Sequence, residues 1–554
     1  MPQVGGLKVA IVGGGLGGLG LALSLLQVGI TDVVVFEKDA NFGDRKQGYG
    51  LTLTNNPKGP LAKLGLLDEC VKRDCASTCH WVFSPEGRVL GYYGRAFLFE
   101  DDDRDGVAGD RGNLRIPRQD LRQMLLDRLP PDVIEWDRRL RDYTEDEEGV
   151  VLHWDDGSST NRKYDVVVGA DGIRSVVRQI RDTRLELTAA KFPAVPGLKY
   201  LGITVILGIS TAQHPLLQRQ GFYVLDGENR LFTMPFREAE SESESEAESE
   251  SGTGTPGSSS NSAHPHLGTQ SPSTWLTMWQ LSFSGLTEEQ ATSLRSLPAP
   301  ALLAEAKRRM ANWFPPCSAL VAATSEREVW ATGLYDRNQL YIPPRDRGRA
   351  LPWATRVTVL GDAAHPMSMF KGQGCNQALE DGPLLAAWLA GLAGAGAGGR
   401  VKGRDQGART ETDERKLPPS AVVPQPHPSL APAPAPAPHF QSTRAAILTR
   451  LRCYEREMVS RAGPKVHASR AAAQLYHSPM GVPGGQGVGC VGMDFALGAS
   501  LGSGVGGSKE EFVRLLCSEL WERGVSAMDA EGPGSESGAR RLEQRVLEVL
   551  RSLR

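Results

Sequence analysis

Residues 357–382 read VTVLGDAAHPMSMFKGQGCNQALEDG. The β-branched run Val357–Leu360 predicts a short buried strand. It ends in Gly361-Asp362, crosses a loop containing Gly372, Gln373 and Gly374, and enters an apolar helix from about Asn376. A strand that delivers a carboxylate, followed by a helix N-terminus, can hold a polyol and a phosphate together. The carboxylate accepts from a hydroxyl, while free amides and the helix dipole favour the anion. Alone, the stretch is equally a plain strand–loop–helix, and two other segments decide between these readings.

The first is VAIVGGGLGGLGLALSLLQVGI, residues 9–30. Lys8–Val12 reads as a strand, Gly13-Gly14-Gly15-Leu16-Gly17-Gly18 fits GxGxxG, and Leu19–Val28 is an apolar helix. A second strand, Val33–Phe36, delivers Glu37 and Lys38, about 20 residues on, where a dinucleotide fold needs an acid for ribose hydroxyls. Gly13 permits the tight turn, Gly15 lets a pyrophosphate approach the backbone, and Gly18 lets helix and strand pack closely. The run is long enough to span a bilayer, but its dense glycines argue for strand, turn and helix instead.

The second segment is Asp165–Ser175, a core strand ending in Gly169-Ala170-Asp171-Gly172-Ile173-Arg174. It again presents an Asp at a strand's carboxyl end. Asp171 would face the pyrophosphate region across from the first glycine loop, with Gly172 turning the chain and Arg174 fixing that turn. Arg118 opens the helix of LRIPRQDLRQMLLDRL (residues 114–129), where the dipole gives a cation little reason to be. A phosphate or cofactor partner would account for it.

Taken together these segments resemble the FAD-dependent aromatic-ring hydroxylases of the para-hydroxybenzoate hydroxylase-like class. The residues carrying the resemblance are Gly13, Gly15, Gly18 and Glu37, then Asp171-Gly172, then Gly361-Asp362, with Arg118 matching an Arg-x-x-Leu flavin contact. It implies an α/β fold: a Rossmann-like FAD-binding domain interleaved with a mixed-sheet substrate domain and C-terminal helices. The implied activity is a monooxygenase that uses NAD(P)H and O₂ to hydroxylate or epoxidise a small aromatic or apolar substrate through a flavin C4a-hydroperoxide. His365, Pro366 and Met369 would lie on the flavin-ring side. Met369 stands where the family usually has a proline, and His365 reads as a structural residue or a proton handler. An oxidoreductase of the same fold without oxygen insertion, or a non-catalytic flavin-binding protein, are the alternatives.

The remaining chain sets the domain plan. Residues 1–180 with 350–390 are expected to form the FAD-binding domain, and 181–349 a substrate sheet with a disordered Ser/Glu-rich insertion at 237–273. In its last strand Trp275, Thr277, Trp279, Leu281 and Phe283 share one face, as packed core or as ligand wall. An Ala/Pro-rich linker (391–439) precedes C-terminal helices (440–480) and a glycine-rich tail with a terminal helix (481–554). A net charge of −3 gives no reason to expect nucleic acid, and no transmembrane span or targeting segment is visible, so a cytoplasmic location is the default. The eight cysteines form no CxxC pair, and no metal is expected. The formal GxSxG at Gly498–Gly502 lacks the strand and helix that a nucleophile elbow needs.

Overall fold

A computed structural model describes residues 6–44, 49–77, 79–87, 89–94, 112–188, 197–217, 220–238, 275–337, 355–390, 392 and 444–478. In chain order the elements begin with β1 (Val9–Val12), α1 (Leu16–Gln27), β2 (Val33–Phe36), β3 (Gly50–Thr54), α2 (Pro60–Lys63) and α3 (Leu67–Lys72). Then come β4 (Cys79–Phe83), β5 (Val89–Gly94), β6 (Asn113–Pro117), α4 (Arg118–Leu126), β7 (Ile134–Glu135), β8 (Leu140–Glu145), β9 (Val150–Trp154), β10 (Val166–Gly169) and α5 (Val176–Thr188). The sheet half holds β11 (Lys199–Ser210), β12 (Gln220–Leu225), β13 (Asn229–Glu238), β14 (Trp275–Ser284), α6 (Glu288–Arg295), α7 (Ala299–Arg309), α8 (Cys317–Ala322) and β15 (Thr324–Asp336). The chain returns through β16 (Val357–Val359), α9 (Gly374–Ala390) and α10 (Arg444–Tyr476).

Five strands form a parallel sheet in the order β16-β10-β1-β2-β7. Strands VAIV and VVVG are buried along their whole length, because helices cover a parallel sheet on both faces and alternation disappears. The register aligns Val12 with Phe36 and with Gly169, and Gly169 with Val359. The loops that follow β1, β10 and β16 therefore leave the sheet side by side at its carboxyl edge, where open α/β sheets bind ligands.

The second sheet has seven strands in the order β15-β11-β14-β13-β12-β4-β5. One face, with Trp279, Leu281 and Phe283, packs on Leu302 and Ala306 of α7 and Cys317 and Leu320 of α8. That aromatic face is packed core. The opposite face turns to the parallel-sheet layer, where the Gly50 N–H donates to the Met278 sulfur at 3.1 Å. Two boundaries differ from expectation. Residues 79–94 join the seven-stranded sheet, because β4 pairs in parallel with β12 through Gln220↔Cys79. The segment expected to hold C-terminal helices is one helix, α10, which continues through Pro464. Strand β13 runs on to Glu238; the expectations for 239–273, 393–439 and 481–554, with the GxSxG, lie outside the described residues. No helix among the described residues is long and apolar enough to cross a membrane.

Candidate functional site

The glycine loop after β1 is built as its spacing predicts. Gly13 has φ +112°, and a Cβ on Gly18 would stand 2.0 Å from the Gly13 carbonyl oxygen, so neither position tolerates a side chain. A Cβ on Gly15 would meet nothing within 4 Å, which leaves open space at the start of α1. That helix has no side-chain cap and no acid in its first turn, so its free amides have only a ligand or water to meet. The Leu16 side chain itself is core, and a Cβ on Gly17 would strike Leu360 at 2.7 Å.

Glu37 is only 2% exposed. Its carboxylate accepts from the Gly14 N–H at 2.7 Å and the Asp39 N–H at 3.1 Å, which locks the glycine loop to the end of β2. Arg122, 1% exposed, reaches the same knot from α4: its Nε donates to the Gly14 carbonyl at 2.9 Å and its Nη2 lies 4.0 Å from Glu37. Glu37 thus shapes the loop through one backbone N–H on each carboxylate oxygen. Lys38 is exposed.

After β10, one Asp171 oxygen accepts from the Val176 and Val177 N–H groups at 2.7 and 3.2 Å and so caps α5. The other is buried without a hydrogen-bond partner, and burial pushes this carboxyl above the usual range. Gly172 turns at φ +81°. Arg174 does not hold this turn; its guanidinium lies 5.9 Å from the Tyr335 ring. Arg178 does, donating to the Ile173 carbonyl at 2.9 Å and to the Ala363 carbonyl at 3.1 Å, and so tying the loop after β10 to the loop after β16.

After β16, Gly361 turns at φ +56° and donates its N–H to Asp381 at 2.7 Å. The Asp362 side chain is open to solvent although protein crowds round it, the setting of a group lining a deep recess. Crowding raises its carboxyl, while His365 and Arg118 pull it back down. An Asp362 oxygen lies 3.9 Å from where a Gly374 Cβ would be, so the carboxylate faces the first turn of α9. Arg118 donates to the Tyr49 hydroxyl at 2.8 Å; burial works against its charge, and the neighbouring Asp362 carboxylate favours it.

His365 lies inside the fold, with Nε2 2.7 Å from Asp381, which also pairs with Arg461 of α10. This is a positioning knot beneath the Gly361 turn. Asn376 is likewise occupied: its amide donates to the Thr52 and Gly372 carbonyls, and its oxygen accepts from the Thr54 N–H at 2.9 Å. It latches β3 to the Gly372-Gln373-Gly374 loop. In that loop Gly372 turns at φ +59°, and the Gln373 carbonyl accepts from the Gln377 N–H at 2.9 Å. Pro366 is buried, Met369 is half-buried, and both lie in the loop that carries Phe370 onto the sheet.

The recess therefore combines an open helix start at Gly15, a solvent-open acid at Asp362 beside a second helix start, and a half-buried cation at Arg118. Those features match a pyrophosphate, a polyol chain and a polarisable ring, as in FAD. Sequence reading missed Arg122, Arg178, Asp381 and Tyr49. Only Arg122, four residues from Arg118 on one helix, carried a signal.

Residues 6–195 match the family described as FAD binding domain. A 3-amino-4-hydroxybenzoate 2-monooxygenase of Streptomyces platensis is 29% identical over 390 residues, 69% of this chain and 79% of that protein. A 6-hydroxynicotinate 3-monooxygenase of Bordetella bronchiseptica is 24% identical over 68% of this chain and 81% of its own length. The solved structure of Klebsiella pneumoniae HpxO with FAD and uric acid aligns at a TM-score of 0.53. It shares 18% identity over 99% of this chain and 97% of that one, a likeness of fold.

Proposed function

We propose that this chain, an FAD-dependent monooxygenase similar to the aromatic hydroxylases, hydroxylates a small aromatic substrate at the expense of NAD(P)H and O₂. The reaction balances as substrate-H + O₂ + NAD(P)H + H⁺ giving substrate-OH, water and NAD(P)⁺. The observation that carries this reading is the shared carboxyl edge of β1, β10 and β16, which brings the Gly13–Gly18 loop, Asp171 and Asp362 into one recess. Two relatives named for hydroxybenzoate and hydroxynicotinate chemistry support an aromatic substrate.

FAD, when bound, supplies the two-electron chemistry that takes up hydride and activates O₂. The protein's share is binding, orientation and exclusion of water. The amides at the start of α1 would hold the pyrophosphate, and Asp362 would accept from polyol hydroxyls. The Gly372-Gln373-Gly374 loop would offer backbone donors at the ring edge, with Pro366 and Met369 flanking the ring. His365 keeps the Gly361 turn in place through Asp381. The face of the seven-stranded sheet that meets this recess would exclude water from the reacting ring.

The test is a turnover of FAD-loaded protein with NAD(P)H and a panel of phenols under ¹⁸O₂. One ¹⁸O atom in the product ring is the expected result. Oxidation of NAD(P)H that yields only hydrogen peroxide with every phenol would favour an oxidoreductase without oxygen insertion.

A further inference from the structure

Tyr49 stands immediately before β3, and the pairing Gly50↔Pro117 sets it opposite Arg118, the first residue of α4. The Arg118 N–H donates to the Tyr49 carbonyl at 3.0 Å, and the guanidinium donates to the Tyr49 hydroxyl at 2.8 Å. The ring between these two bonds packs on Ile209, Met234, Phe236 and Met278 of the seven-stranded sheet. The next residue gives it no play. The Gly50 N–H is bonded to the Met278 sulfur, and a Cβ there would stand 2.8 Å from the Met234 methyl carbon. Tyr49 thus reaches from one layer of the fold to a cation in the other.

Among the described residues, the Tyr49 hydroxyl is the one hydrogen-bond partner of the Arg118 side chain. The buried Arg178, by contrast, is fixed by both the Ile173 and Ala363 carbonyls. Arg118 is half-buried at the recess and keeps donors to spare. A long, flexible side chain with a single tether takes its direction from that tether. Burial raises the Tyr49 phenol above its ordinary value, so at neutral pH it meets Arg118 as a neutral acceptor. A cation beside a flavin ring favours the reduced, more electron-rich form, so the direction of Arg118 has an electrochemical consequence.

We propose that Tyr49 is a positioning residue of this site: it aims the Arg118 guanidinium at the FAD ring and, through that cation, raises the reduction potential of bound FAD. This rests on the flavoprotein reading and extends it to a residue outside the glycine and acid motifs. Because the Tyr49 ring is anchored on the seven-stranded sheet, the potential of the cofactor is set from the opposite layer of the fold.

The experiment compares the FAD-loaded full chain with Tyr49→Phe, Arg118→Met and the double variant. It reads the two-electron midpoint potential of bound FAD and the Tm of each apoprotein. Arg118→Met should weaken reduced FAD roughly tenfold more than oxidised FAD, the scale of one charge-assisted contact. For a two-electron couple that is a potential lower by about 30 mV. Tyr49→Phe keeps the ring and should reproduce most of that fall, with a Tm within a few degrees of the parent. The double variant should fall no further than Arg118→Met, because Tyr49 acts through Arg118. A parent-like potential in either single variant, or shifts that add in the double variant, overturns the proposal. So does a Tyr49→Phe apoprotein that melts far below the parent or fails to fold, since the hydroxyl would then serve the fold. A parent that takes up no FAD fails the flavoprotein reading and this inference with it; a yellow parent whose potential ignores both substitutions fails this inference alone.

Discussion

Two glycines three residues apart in sequence do opposite work at the candidate site. Gly18 is needed by the protein, because its α-carbon lies against the Gly13 carbonyl with no room for a methyl group. Gly15 is needed only by a ligand, because the space beyond its α-carbon is empty and its φ of −80° suits any residue. We therefore expect Gly18→Ala to misfold, and Gly15→Ala to fold with the parent's Tm yet fail to retain FAD. Asp362→Ala should join the second class, since its side chain is open to solvent and its loss leaves no buried partner stranded. Far-ultraviolet circular dichroism with flavin absorbance at purification separates the classes; a folded, fully yellow Asp362→Ala would remove that residue from the site. Such residues were legible in the sequence because glycine and a strand-end acid answer to backbone geometry. Arg178 was not, because an arginine in a sequence reads as a solvated charge until distant loops close over it.

At the scale of elements, α10 holds the site from behind. Tyr454 donates to the Val359 carbonyl at 3.2 Å, Glu455 meets both Arg181 and the Thr358 hydroxyl at 2.9 Å, and Arg461 pairs with Asp381. Asp381 is fully buried and also receives the Gly361 N–H and His365. Removing it strands three donors, so Asp381→Ala should cost about 3–5 kcal/mol and weaken FAD retention; urea unfolding measures it, and a loss below about 1 kcal/mol would contradict the knot. The far end of α10 adds a pH dependence. Burial lowers His477, and likewise His214, to about 4 from an ordinary value near 6.5. Between those values the unfolded chain binds more protons than the folded one. Stability is therefore full above about pH 6.5 and falls as pH drops towards 4. Replacing both with Asn should flatten the fall in urea midpoint over that window, and an equally steep fall in the variant would sink the assignment. Strands β1, β10 and β16 were readable as unbroken β-branched runs, since a doubly covered parallel sheet demands them. Strand β4 was not, because only pairing with β12, far along the chain, gives it a sheet to join.

At the scale of the whole molecule, the described residues contain one parallel sheet with a dinucleotide-type carboxyl edge; their other large sheet is mainly antiparallel and buries one face under α7 and α8. The seven-stranded sheet offers a nicotinamide dinucleotide no row of strand ends with helix starts beyond them. The two nucleotides must then differ in how they are held. FAD would occupy a built site and stay, whereas NAD(P)H would visit the open side of the same recess and leave after giving up its hydride. That asymmetry has a thermodynamic signature, because a ligand stabilises only in proportion to its affinity for the folded chain. At 100 times its Kd, FAD should add about 2.7 kcal/mol to the stability of the apoprotein, and NADP⁺ or NAD⁺ at the same concentration should add almost nothing. Thermal melts of stripped protein with each nucleotide measure this directly. Protection by NADP⁺ or NAD⁺ equal to that by FAD, and additive with it, would require a second built nucleotide site and would overturn the division of labour argued from the two sheets.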